Sequence, residues 1–129
     1  MTLILPPAAP VVLTVGPLSS PDNNNVLVEV GTLVLNRRGY WQVFVSGTVD
    51  QFATNSAAKW AILVDGVGTV VSSEIMHGQT AARVGGDWRG MSDGTTIARL
   101  QSGRRSDGFS QTIALSLTAV FIPTATAIK

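Results

Sequence analysis

Few side chains in this sequence carry reactive groups, and their spacing limits the chemistry open to it. His77 is the one histidine, and there is no cysteine. A thiol nucleophile, a disulfide framework and a cysteine zinc site are therefore excluded. A Ser-His-Asp hydrolase would have to use His77 as its base. That residue stands in Ile75-Met-His-Gly-Gln79, without a G-x-S-x-G element or similar nucleophile motif around it. It reads instead as a loop or interface histidine at a strand end.

The acids are Asp22, Glu29, Asp50, Asp65, Glu74, Asp87, Asp93 and Asp107. Most of the aspartates flank glycine or other turn residues, where a short acceptor side chain bends its own backbone. Nothing pairs Glu29 with Glu74 as a glycosidase would require, and the EF-hand spacing is absent. No phosphate loop is present either. No catalytic residue, no cofactor and no metal site is expected.

Arg37-Arg38 and Arg104-Arg105 are basic pairs that read as two solvated turns. Their alternative is contact with acidic groups on a partner. Net charge is only +1, so no clustered basic footprint for specific nucleic acid is expected. Trp41 and Trp60 fall on faces that otherwise read as core. Trp88 lies in a glycine-rich stretch and is the best placed aromatic for a ligand or subunit contact.

These residues must be positioned by strands. Val11–Val15 is a β-branched run closed by Gly16-Pro17, and Pro21-Asp-Asn-Asn-Asn25 is a loop. Val26–Leu35 alternates in part, with Gly31 at a bulge or break. From Gly39 to Val49 the alternation is strict. Trp41, Val43, Val45 and Val49 share one face and look like core, while Tyr40, Gln42 and Phe44 share the other. The second face is an odd mixture for solvent, so Tyr40 and Phe44, with Trp88, are assigned to a subunit interface.

Lys59–Asp65 is a strand turning at Asp65-Gly66 into a return strand over Val67–Met76. Residues 79–94 are expected to hold one short strand plus loops. Residues 95–101 are a weaker strand, and 102–108 a polar turn. Ile113–Phe121 alternates cleanly until Pro123 stops it. No period of 3.6 is sustained anywhere.

The whole is an all-β chain, an antiparallel β-sandwich of about 8–10 strands with an extended N-terminal arm. The arm is residues 1–10, the sandwich 11–123 and a C-terminal tail 124–129. Leu3, Ile4 and Leu5, followed by Pro6 and Pro7, would be wasted on a free tail. They are assigned to docking on a neighbouring subunit or another partner. The prolines break the apolar run, so it does not read as a signal peptide, and no window approaches the ~18 apolar residues of a membrane helix. No membrane contact is expected. Charged residues are 13% of the chain against a usual share of about 25%, so much neutral surface is left for other subunits to cover.

Gly39-Tyr-Trp-Gln-Val-Phe44 resembles the G-x-Y-x-F-like element of the tumour-necrosis-factor/C1q-like jelly roll, with the phenylalanine one position late. Trp60–Gly66 is similar to that family's following strand and turn, and Ile113–Ile122 to its closing strand. The resemblance implies a jelly roll and a homotrimer, as in bacteriophage head decoration or fibre proteins. It points to a non-enzymatic capsid decoration (cement) protein that stabilises a phage head. Its partners would be the major capsid protein or other virion subunits, its location the virion assembled in the host cytoplasm. The alternative is a carbohydrate- or receptor-binding fibre-tip module using Trp88, Met91 and Arg104-Arg105.

Overall fold

The computed structural model describes residues 3–5, 11–50, 57–76, 81–105, 112–123 and 126–128, and all of its regular structure is strand. In chain order these are β1 (Leu3–Leu5), β2 (Val12–Leu18), β3 (Val28–Leu35), β4 (Arg38–Asp50), β5 (Ala57–Val64), β6 (Gly68–Met76), β7 (Ala81–Val84), β8 (Asp87–Asp93), β9 (Thr96–Arg105), β10 (Thr112–Ile122) and β11 (Thr126–Ile128).

Every strand pairing is antiparallel, and the pairs are nested. The β5–β6 hairpin is innermost. Around it β4 pairs with β7 and β8, β3 with β9 and β2 with β10. Alternate layers of this nest go to different sheets. One sheet has the order β2-β10-β4-β8, with β7 continuing the line of β8 along β4; the other has the order β3-β9-β5-β6. One long antiparallel ribbon rolled into two packed sheets is a jelly roll.

The period-two pattern decides what fills the space between the sheets. Trp41, Val43, Val45, Leu115, Leu117, Ala119 and Phe121 come from the first sheet. Leu35, Trp60, Ile62, Val64, Ala98 and Leu100 come from the second. Trp41 and Phe121 meet edge to face at 5.4 Å. Fully burying a side chain of this size contributes ~1.5–3 kcal/mol, whereas a surface ion pair gives about 1 kcal/mol or less. The core therefore holds the sheets together, and the outer-face ion pairs of Arg99 with Glu29 and Asp65 add little.

Several expected boundaries shift, each for a local reason. β2 runs through Gly16-Pro17 to Leu18. It is an edge strand, where the missing N–H of Pro17 costs no ladder bond. Gly31 does mark a bulge, at the register shift between Glu29 and Gly31. β9 continues past Gln101 to Arg105, so the expected polar turn does not begin at Ser102. Its buried Ser102 hydroxyl donates to the Lys59 carbonyl at 2.7 Å and bonds Ser20 Oγ at 2.8 Å. Residues 79–94 hold two strands, not one, joined at Gly85-Gly86.

Candidate interaction surface

The outward side chains of the first sheet form rows across its strands. Register sets Tyr40 between Met91 and Ile122. The next row is Arg89, Gln42, Val120 and Val12, and the one after is Asp87, Phe44, Thr118 and Thr14. Met91 is 66% exposed, Val12 61% and Tyr40 38%. Phe44, Val120 and Ile122 are half-buried. Polar groups lower on the face are mutually satisfied. Asp87 takes a 3.2 Å hydrogen bond from Gln42 and lies 3.6 Å from the Arg89 guanidinium, and the hydroxyls of Thr14 and Thr118 are 3.3 Å apart. The Met91–Tyr40–Ile122 row is thus apolar, with Arg89 in the row on one side and the Arg38–Asp93 pair on the other. The outer face of the second sheet also carries charge, where Arg99 bonds both Glu29 and Asp65.

Tyr40 and Phe44 are brought together on this face as the alternation predicts. Trp88 is not. It pairs with Val43 on β8, points inward and packs half-buried against the core. Its indole lies over Gly90, where any Cβ would run into the ring. Trp88 therefore does not share the outer face with Tyr40 and Phe44. The sequence misleads because the inward positions of β8 are Trp88, Gly90 and Ser92, of which only the first looks like core. Ser92 is buried and donates to the Leu35 carbonyl at 2.9 Å. Met91, expected only alongside Trp88 and Arg104-Arg105, joins Tyr40 on the outer face instead, where strict alternation from Trp88 would have placed it.

The other expected contacts are distributed as follows. Leu3, Ile4 and Leu5 form β1, paired with Ile128, Ala127 and Thr126 of β11. Pro6 and Pro7 lie outside the described residues, as does His77. Arg104 is no solvated turn. Its Nε donates to the Ser20 carbonyl at 2.9 Å, and its backbone bonds Pro21, Asn23 and Asn25. Asp22 lies 3.7 Å from its guanidinium. This clamp holds the 19–27 loop, with Asn24 and Asn25 in left-handed backbone. Arg37 sits 5.0 Å over the Phe121 ring in a cation–π contact. Met91 pairs beside Tyr40 at the start of β4, whereas Arg104 and Arg105 pair with Ala58 and Ala57 in the other sheet, at the opposite end of the sandwich. Trp88, Met91 and Arg104-Arg105 therefore do not form one site.

Asp93 is a titratable group whose surroundings shift it clearly. The Thr95 hydroxyl, and then the Thr95 backbone N–H, hold its carboxyl below the ordinary value. This is a turn interaction at full exposure. Among the described residues no group of three or more His, Asp or Glu side chains is placed to hold a metal ion.

No known family profile matches the chain, and no curated protein does. Solved structures do resemble it. A chain of the infectious bursal disease virus VP2 subviral particle matches at a TM-score of 0.56 and 12% identity, over 92% of this chain and 36% of that one. A chain of the Gx strain of that virus matches at 0.59 and 11% identity, over 89% and 34%. This chain spans about a third of the length of those it matches, and at such identity the likeness is one of fold.

Proposed function

We propose that this protein is a non-enzymatic structural subunit of a virus particle, and within that class a homotrimeric capsid decoration subunit of a bacteriophage head. The observation that carries the reading is the nested jelly roll, which aligns over about nine-tenths of its length with chains from virus particles. The resemblance of Gly39–Phe44 and its neighbours to trimeric jelly-roll domains supports the finer assignment. The Met91–Tyr40–Ile122 row of the first sheet, with Tyr40 and Met91 exposed and Val12 exposed in the next row, supplies apolar surface suited to burial between subunits. A trimer that sits on a lattice needs only weak contacts at each subunit, because three linked contacts bind far more tightly than one.

Electron microscopy and native mass of the purified full chain test this. Discrete trimers that bind preformed capsids are the expected result. Closed shells formed by the chain alone would make it a shell subunit and overturn the decoration role. A monomer that binds no particle would overturn both.

A further inference from the structure

β8 is an edge strand. Among the described residues it pairs with β4 alone, so its far side presents backbone donors and acceptors to a strand that comes alongside. Sheet edges are commonly blunted by a proline, a bulge or charge. β8 has no proline, and its register along β4 runs from Asp87 to Asp93 without a bulge. Its charges are of both signs. The outward residues are Asp87, Arg89, Met91 and Asp93, all exposed, Met91 to 66%. Arg89 lies 3.6 Å from Asp87, and Arg38 stands beside Asp93. The first contact runs along β8 and the second across to β4, so neither uses the far side.

The order of the charges decides which strand fits there. A second copy of β8 laid antiparallel must set outward residues opposite outward ones, because faces alternate along a strand. A two-fold axis relating the copies therefore passes through a residue. Centred on Gly90, it opposes Asp87 to Asp93 of the second copy, twice. Centred on Arg89, it opposes the two arginines. Like charges directly opposite each other destabilise a strand pair. Centred on Met91, it sets Arg89 opposite Asp93 of the second copy, twice, and Met91 against Met91. A centre on Trp88 opposes Asp87 to Arg89 but joins only residues 87–89 and leaves Met91 outside.

We propose that β8 of one copy pairs with β8 of a second copy about a two-fold axis at Met91. The contact is isologous. It joins the two first sheets into one and carries the Ile122–Tyr40–Met91 row on into the second copy. Residues 89–93 are few beside the ~20–30 a side of a stable interface, so the pairing forms at high protein concentration and leaves the mass in dilute solution unchanged. It does not rest on the trimer proposed above; between trimers, it links one to the next.

The chain's lack of cysteine allows a direct test. Full-length Arg89→Glu and Asp93→Arg proteins, each also carrying Met91→Cys and a different tag, are mixed at high concentration and mildly oxidised. Opposed residues in an antiparallel pair stand ~4.5–5.5 Å apart at Cα, within disulfide reach. Each variant paired with itself opposes like charges twice, whereas the mixed pair opposes unlike charges twice. The disulfide between the two tags is expected to exceed either same-tag disulfide on the order of tenfold. The same mixture with Thr32→Cys, exposed on the second sheet, in place of Met91→Cys measures the general attraction of the two variants and is expected to give the smaller excess. Equal yields of the three disulfides, or an equal excess at Thr32, overturn the inference. Should a charge variant not fold, Met91→Cys against Thr32→Cys in the otherwise unchanged chain decides it: faster cross-linking at position 91 is expected, and equal rates overturn it. A trimer mass without the excess at position 91 leaves the trimer standing and removes only the β8 contact.

Discussion

At the scale of single residues, glycines and polar caps decide more than the aromatics that first draw attention. Gly90 leaves the space that the Trp88 indole occupies. Gly90→Ala is expected to lower stability by ~1–3 kcal/mol, the usual cost of overpacking. Gly85→Ala, where a Cβ meets nothing, should change it by less than about 0.5 kcal/mol. Denaturant midpoints of the two variants check the contrast, and equal midpoints would show that Trp88 is not seated on Gly90. Asp93 gives a second expectation. Its carboxyl is depressed by bonds from Thr95, so its stabilisation is present above the unfolded value and disappears as pH falls through the folded one. An NMR titration should place the Asp93 midpoint below its ordinary value, and Thr95→Ala should raise it.

At the scale of elements, the strands obey alternation wherever the inward residues are apolar. β4, β5 and β10 are legible for that reason: Trp41, Val43 and Val45, then Trp60, Ile62 and Val64, then Leu115 and Leu117 are all buried. Leu117→Ala in the centre of β10 should cost ~2–5 kcal/mol, measured by chemical unfolding; a loss under 1 kcal/mol would mean the two sheets do not close over it. The strands that sequence reading shortened or missed are those with polar inward positions. Ser92 in β8 and Ser102 in β9 are buried because each hydroxyl finds a partner from another part of the chain, Leu35 for one and Ser20 for the other. Such partners are distant in sequence and leave no local pattern. The same holds for Arg104, a polar-turn residue by composition whose role comes from a loop 84 positions away. Tyr40 and Phe44 were legible as an outward pair because they share one alternating strand. Met91 joins them only through cross-strand register, which alternation in β4 does not supply.

At the scale of the whole molecule, nested pairing makes nearly every stabilising contact non-local. Thr14 and Thr118 meet across the β2–β10 pair although 104 positions separate them. Loop closure over such distances precedes most of the gain in burial, so refolding on the ms–s scale is expected; stopped-flow tryptophan fluorescence measures it, and a microsecond phase carrying the full amplitude would contradict this topology. Both outer faces carry ion pairs, Arg89 with Asp87 on one and Arg99 with Glu29 and Asp65 on the other, and the exposed apolar row of Met91, Tyr40 and Ile122 is the part of the first face suited to burial against another subunit. The central claim, a jelly roll built to associate with copies of itself on a virus particle, is tested most directly by the native mass of the full-length protein at micromolar concentration. The account predicts a mass about three times the 13.5 kDa of one chain. A single-chain mass under those conditions would contradict it.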